Sequence, residues 1–345
     1  MKAAVLQETK NLQIVEIPDP DFQSGNIVIK VRACGVCRTD WKAYKLGQRD
    51  LKLPRILGHE ITGTIAALPT AVKGFKAGDQ VQISPGLPCG ECHYCQRGWD
   101  HLCEQQQILG FNRDGGFAEY LQIPSQCANL GVLNFIPGHI SPAEAALVEP
   151  LACSLNMQES MDTGPADDLI IWGLGPLGIL NARLAQARGV TNVIGIENNP
   201  IRNRCAQELG IACCLNPEEH NLAAEINLRT GGRGASAAIN CCADTKVWQD
   251  LLQLLGKRGR LGFFSGLTGE KDMLTGELNP IHYLELSVLG SYGCSTRHNR
   301  LALQMIAEGA VITRDIITAR IGLAELETAL KAMTHYQTLK TVVEF

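Results

Sequence analysis

Leu169-Ile-Ile-Trp-Gly-Leu-Gly-Pro-Leu-Gly178 runs directly into Ile179-Leu-Asn-Ala-Arg-Leu-Ala-Gln-Ala-Arg188. The four apolar residues read as a buried strand, the glycine-rich stretch as a turn and the remainder as a helix. In this G-x-G-x-x-G pattern Gly173 allows the tight turn and Gly175 lets backbone approach a pyrophosphate. Gly178 permits close helix–strand packing, and the helix N-terminus favours the anion. The pattern alone is weak evidence. Here it follows a strand, opens a helix, and is answered by Glu197 at the end of the next strand, 19 residues after Gly178. A carboxylate at that point accepts from ribose hydroxyls and repels a 2′-phosphate, so the expected dinucleotide is NAD rather than NADP. The residues expected to meet it are Gly173, Gly175, Pro176, Leu177, Gly178 and Glu197. Arg202 and Arg204 follow closely; either accommodates a phosphate, or both are solvated helix residues.

Outward from this loop, the chain alternates strand and helix from about Asp168 to Tyr292. Expected strands are Leu169–Trp172, Asn192–Glu197, Ala235–Asn240, Arg260–Phe264 and Leu286–Gly290, with helices such as Pro176–Ala187 and Pro200–Leu209. Alternating βαβ units imply a parallel, doubly wound sheet covered on both faces. The first 150 residues differ. Short apolar or alternating runs at Ala3–Leu6, Ile27–Ala33, Ile61–Ala67, Gln80–Ile83 and Ala118–Ile123 are separated by Gly, Pro and Asp turns, which suggests a small irregular barrel. From Ser141 the character changes: Ser141, Pro142 and Glu144 form a capping-box start for a helix. The last 50 residues, with a helix near Asn299–Glu308 and the ending LKTVVEF, read as a return to the first domain. The expected division is a catalytic domain of residues 1–150 joined by 293–345, and a dinucleotide domain of 151–292.

The whole chain of 345 residues exceeds what one hydrophobic core usually serves. Its net charge of −4, without a basic patch, argues against nucleic acid or an anionic membrane as partner. No apolar run reaches the length of a membrane span, and the N-terminus turns polar too early for a secretory signal. The 14 cysteines cluster at short range in a large chain, a pattern that favours metal ligands in a reducing cytoplasm over a disulfide framework.

Cys89, Cys92, Cys95 and Cys103 are spaced C-x2-C-x2-C-x7-C. Four thiolates on one short lobe make a closed tetrahedral zinc site that folds a loop and does no chemistry. Upstream, Cys37 and the pair His59-Glu60 offer a thiolate, an imidazole and a carboxylate. A catalytic zinc needs about three protein ligands and one free position, and these residues suit it.

In that order, CGVCRTD, GHE, the four-cysteine lobe and GLGPLG make a chain that resembles the zinc-dependent medium-chain alcohol dehydrogenase superfamily over its full length. The resemblance implies an α/β protein with a GroES-like β-rich catalytic domain and a Rossmann domain. It implies one catalytic and one structural zinc, a small-molecule alcohol or ketone substrate, and a homodimer or homotetramer formed through the Rossmann edge near Leu286–Gly293. It makes Cys37, His59 and Glu60 the metal-site residues. At the remaining ligand position stands Glu149, in ALVEPLACSLN, a pattern similar to the polyol, sorbitol and threonine dehydrogenase branch. There the glutamate either ligates zinc or stands beside it, with Glu60 able to ligate in turn; Cys153 is the alternative donor.

The implied activity is interconversion of a secondary alcohol (a polyol, sugar, cyclitol or amino-alcohol) and its ketone. A biosynthetic reductase and a non-catalytic NAD-binding protein are the alternatives. Thr39 matches the hydroxyl that starts the family's proton relay, and Asp40 the acid that orients the ligand histidine. Arg38 reaches the cofactor phosphate or faces solvent. Lys42 departs from the family, which has a relay histidine there: the relay stops at the cofactor ribose, or Lys42 binds an anionic group of the substrate, or it is a solvated lysine. Asn240–Ala243, NCCA, replaces the usual acidic-x-x-Gly. Trp41, Phe111 and Tyr283 are pocket or core aromatics.

Overall fold

The computed structural model describes residues 1–266, 277–333 and 338–345. The chain divides into two units, Met1–Ala152 with Cys294–Phe345, and Cys153–Gly293.

The first unit opens with strands β1 (Lys2–Glu8), β2 (Asn11–Glu16) and β3 (Ile27–Val36), then helix α1 (Arg38–Leu46). Strands β4 (Arg55–Ile56), β5 (Glu60–Ala67), β6 (Gln80–Ile83) and β7 (Gly86–Leu87) follow, with the one-turn α2 (His93–Gln96). Then come β8 (Gln107–Ile108), β9 (Tyr120–Ile123) and β10 (Leu133–Phe135), and helices α3 (Pro142–Ala146) and α4 (Val148–Ser160). Ser141 caps α3 as the sequence suggested: its hydroxyl accepts from the Glu144 backbone N–H at 3.3 Å and the Glu144 carboxylate accepts from the Ser141 N–H at 3.2 Å. The helix breaks at Leu147 and resumes as α4, within which the chain passes from one unit to the other.

The second unit holds β11 (Asp168–Trp172), α5 (Pro176–Ala187), β12 (Asn192–Ile196), α6 (Pro200–Glu208), β13 (Cys213–Leu215) and α7 (Leu222–Arg229). It continues with β14 (Ala235–Asn240), α8 (Thr245–Leu254), β15 (Leu255–Phe263), α9 (Asn279–Tyr283) and β16 (Ser287–Gly290). The chain returns to the first unit with α10 (Thr296–Ala307), β17 (Ile317–Ile321), α11 (Leu326–Ala332) and β18 (Lys340–Glu344).

In the second unit all six described strands are parallel, in the order β13-β12-β11-β14-β15-β16. Numbered within the unit this is 3-2-1-4-5-6, the doubly wound dinucleotide order, and the order reverses between β11 and β14. The strands are buried on both faces, as their unbroken apolar runs demand: Ile170, Ile194, Ala238 and Leu261 are fully buried, with Trp248 of α8 against them.

In the first unit the larger sheet runs β10-β6-β5-β3-β18-β17, with β9 also paired to β3. Its core is built from the inward residues of these strands, among them Ile27, Ile29, Val31, Ile61 and Ile65, with Phe117 from the segment before β9 packed among them. Strand β3 is central: it pairs antiparallel with β5 on one side and with the C-terminal β18 on the other. Residues far apart in sequence therefore become neighbours at the end of β3, where the CGVC stretch turns into α1.

Candidate functional site

Cys37 ends the β3 segment in extended backbone and is the N-cap of α1. Its sulfur accepts the Thr39 N–H at 3.5 Å, and the Asp40 carboxylate accepts the Cys37 N–H at 2.9 Å. The helix start thus fixes the thiol and turns Asp40 inward. Asp40, 2 % exposed, also accepts from the Gly58 N–H at 3.2 Å, and the same oxygen lies 3.4 Å from His59 Nδ1, without hydrogen-bond alignment. Gly58 sits at φ +92°, and a side chain there would press on the Cys34 sulfur and the Phe117 ring. A glycine before His59 is therefore a steric requirement. Phe111 meets the His59 ring edge-on at 5.3 Å between centroids.

One ligand atom from each of Cys37, His59 and Glu60 falls within 4.8 Å of the others. Cys37 is half-buried, and His59 and Glu60 are buried. Burial pushes the His59 imidazole down, but the Asp40 carboxylate and the Cys37 thiolate outweigh it and raise His59 well above its usual range. A thiolate, an imidazole and a carboxylate are donors zinc accepts. With Nδ1 turned to Asp40, Nε2 is the nitrogen left for a metal. The donor set fits the ion.

Glu60 has a partner that the motif reading did not find. Lys340 Nζ donates to Glu60 Oε1 at 2.6 Å and to the Val36 carbonyl at 3.0 Å, and also contacts Glu60 Oε2. Burial pushes the Lys340 ammonium down; the Glu60 carboxylate, then the Cys37 thiolate, hold it above its ordinary value. The only sequence trace of this residue is a lone charge at the start of an apolar terminal strand.

Glu149 lies in the first turn of α4, 8 % exposed, with its carbonyl 3.9 Å from the Cys294 sulfur. It is outside the Cys37–His59–Glu60 group. Cys153, one turn on, is half-buried. Along α1, Thr39 is half-buried and Arg38 exposed, its guanidinium stacked 4.3 Å over the Trp41 ring. Lys42 is half-buried; burial, then the Arg38 charge, lowers its pKa from the usual lysine range. Tyr283, in α9, is 74 % exposed, so it is neither core nor pocket within its own unit.

The four cysteines Cys89, Cys92, Cys95 and Cys103 gather their sulfurs within 4.8 Å of one another. Cys92 and Cys95 are 3.5 Å apart and Cys89 and Cys95 3.9 Å. Zn–S bonds of about 2.3 Å make the edge of a tetrahedron about 3.8 Å, so the spacing fits. Backbone N–H groups of Cys89 and Gln105 point at the Cys103 sulfur, and that of Cys92 at the Cys89 sulfur, each at 3.3 Å. Such donors stabilise thiolates: backbone N–H groups pull Cys92 down to about 6, whereas burial pushes Cys95 up to about 12. None of the 14 cysteines is in a disulfide. Asp100, within the lobe, accepts the Thr296 N–H at 3.1 Å and so satisfies the first turn of α10.

In the second unit, Gly173 turns the chain at φ +97°, and a side chain on Gly178 would overlap the Gly173 carbonyl oxygen. Gly175 is the N-cap of α5, with Pro176 and Leu177 in its first turn. Glu197, 5 % exposed, accepts the Leu174 N–H with Oε2 and the Asn199 N–H with Oε1, both at 2.9 Å. It therefore braces the glycine loop as well as ending the strand. The Arg202 guanidinium lies beside Gly175. Asn240 accepts the Cys242 N–H at 2.9 Å, forming the turn that lays Cys241 against Gly173.

Residues 23–131 match the model of the alcohol dehydrogenase GroES-like domain, and residues 176–308 that of the zinc-binding dehydrogenases. The sorbitol dehydrogenase of Bacillus subtilis strain 168 is 29 % identical over 98 % of this chain and 94 % of its own. An L-threonine 3-dehydrogenase of Pyrococcus horikoshii is 30 % identical over 99 % of this chain and 98 % of its own. Among solved structures, one described as a zinc-binding dehydrogenase from Sinorhizobium meliloti 1021, bound to NADP, superimposes with a TM-score of 0.90 at 28 % identity, covering 100 % of this chain and 99 % of its own. With a four-thiol lobe and a dinucleotide loop on the same chain, these likenesses agree: the chain belongs to the zinc-type medium-chain alcohol dehydrogenase family, in the branch of the sorbitol and threonine dehydrogenases.

Proposed function

We propose that this dehydrogenase oxidises a secondary alcohol on a polyol, sugar, cyclitol or amino-alcohol to its ketone, with NAD as acceptor. The observation that carries the reading is the buried Cys37–His59–Glu60 group, oriented by Asp40, on a chain with a braced dinucleotide loop. Cys37 and His59 hold the catalytic zinc, and the third protein donor comes from the carboxylates Glu60 and Glu149. Cys89, Cys92, Cys95 and Cys103 hold the structural one. When bound, zinc polarises the substrate hydroxyl and the nicotinamide takes the hydride from the carbinol carbon. Asp40 keeps the His59 ring in one orientation, and the α1 cap keeps Cys37 beside Thr39, whose hydroxyl is the first carrier of the released proton. Glu197 favours the free ribose of NAD, while Arg202 beside Gly175 is the feature that favours NADP.

Among the described residues, strand β16 is the edge of the parallel sheet, with Val288 48 % exposed. An unpaired apolar edge suits pairing with a second copy, so the working form is a homo-oligomer joined there. No described helix is long and apolar enough to cross a membrane. The cysteine usage supports a cytoplasmic enzyme.

The test is reduction of NAD, with NADP in parallel, by zinc-replete protein across primary alcohols, polyols, cyclitols and amino-alcohols. Turnover confined to polyhydroxylated or amino secondary alcohols with NAD is the expected result. Preference for simple primary alcohols overturns the substrate class, and silence on every alcohol and its ketone moves the reading to a non-catalytic NAD-binding protein.

A further inference from the structure

Strand order in the second unit reverses between β11 and β14, so the C-terminal ends of these two strands are the walls of the crevice where a dinucleotide lies. On the β11 side stands the glycine loop, and on the β14 side the turn at 240–242. The two walls touch. The Cys241 N–H donates to the Trp172 carbonyl at 2.8 Å, and a Cβ on Gly173 would lie 3.2 Å from the Cys241 carbonyl carbon. Whatever holds Cys241 and the start of α5 together therefore sets the width of the crevice.

Asn181 reaches both. It lies in α5, one turn after Leu177, and is 0 % exposed. Its Nδ2 donates to the Leu177 carbonyl at 2.9 Å and to Ser154 Oγ at 3.0 Å, and lies 3.8 Å from the Cys241 sulfur. Its Oδ1 accepts from Gln158 Nε2 at 3.3 Å, and the same Nε2 donates to the Asn181 carbonyl at 2.7 Å. Ser154 and Gln158 are fully buried and belong to the part of α4 within this unit. One carboxamide thus joins the first turn of α5, the neighbouring helix and the far wall of the crevice. The other buried residues along α5 are Gly178, Ile179, Leu180, Ala182, Leu184 and Ala185, none of them polar. Packing alone would be met by leucine, a better helix former of similar size. A buried carboxamide is tolerated here because its donors and its acceptor are paired.

We propose that Asn181 is a positioning residue for the dinucleotide: it fixes the first turn of α5, whose N–H groups are offered to the pyrophosphate, against Cys241 across the crevice. This rests on the reading that the glycine loop holds the cofactor.

The experiment uses the full-length, zinc-loaded protein. NADH and NADPH binding is titrated by fluorescence, kinetics are run with the best alcohol of the panel above, and thermal melts report folding. Asn181→Leu should weaken binding of the preferred dinucleotide about tenfold and raise its KM alike, with kcat within about twofold and Tm within about 3 °C of wild type. A residue that merely packs would lower Tm and leave affinity and KM alone. Cys241→Ala should weaken binding about threefold, whereas Cys241→Ser, which keeps an acceptor, should stay within about 1.5-fold of wild type.

Unchanged affinity in Asn181→Leu overturns the proposal whatever the melt shows, and so does a fall in kcat without a rise in KM. Should Asn181→Leu fail to fold, the cysteine pair decides: equal affinities in Cys241→Ala and Cys241→Ser overturn it. Wild-type protein that binds neither NADH nor NADPH would instead show that the underlying reading of the glycine loop is wrong.

Discussion

Asp40 does more than any other single side chain to shape the open site. It accepts from Cys37 and Gly58 and stands 3.4 Å from His59, so three segments of the site meet on one buried carboxylate. Asp40→Asn keeps the shape but places a donor where acceptors are needed. It should lower both zinc retention and turnover by about 10- to 100-fold, as expected for an outer partner of a ligand histidine; zinc content and kcat/KM check this against an unchanged circular dichroism spectrum. The roles expected for Asp40, Cys37 and His59 rested on short motifs, and short motifs are local in sequence. Lys340 was not legible, because nothing near it in sequence concerns the metal. Its meaning comes from Glu60, a neighbour 280 residues away.

At the scale of elements, the dinucleotide loop depends on a close approach. A methyl on Gly178 meets backbone, which does not yield as a side chain would. Gly178→Ala should cost about 1–3 kcal/mol of strain and weaken cofactor binding about tenfold to a hundredfold, with zinc content unchanged; titration of NADH fluorescence measures it. Helices α1 and α11 supply a second case. Tyr44 donates to Glu327 at 2.8 Å, and Lys331 pairs with the same carboxylate at 2.9 Å. Lys331, then Tyr44, hold Glu327 below its ordinary pKa. A depressed carboxylate stabilises the fold above its unfolded pKa and loses that contribution as pH falls through the folded value. Tyr44→Phe should therefore cost about 1 kcal/mol or less near pH 7, given solvent screening, and the difference should close below about pH 4. Urea denaturation at the two pH values tests this.

The sequence reading of elements did best where periodicity and caps agree. Pro176–Ala187, Gln80–Ile83 and Ala235–Asn240 have the expected bounds. It missed α1, whose cap is the Cys37 sulfur rather than the usual hydroxyl or carboxamide, and the three-residue β13, too short to show a period. It also began β15 five residues late, at Arg260 rather than Leu255, because the polar Lys257 and Arg258 interrupt the apolar run.

Across the whole molecule the two metal sites should fail differently. Cys37→Ser should abolish turnover and leave cofactor binding within about twofold, since the dinucleotide loop belongs to the other unit. Cys95→Ser opens the closed thiolate site and should lower Tm by about 10 °C or more, through loss of metal-coupled folding and of the Asp100 support to α10. Metal analysis, thermal melts and NADH titration separate the two; identical behaviour would remove the distinction between a catalytic and a structural site. By itself the sequence determined the fold class, the glycine-rich strand–turn–helix, the four-thiol lobe and the residues that offer themselves to a second metal, because each is carried by residues close together in the chain. Only the tertiary structure decided which carboxylate pairs with Lys340, what braces the glycine loop and what satisfies the start of α10. Those contacts follow from strand order and register, which bring β5, β3 and β18 together, and no local period in the sequence encodes that order.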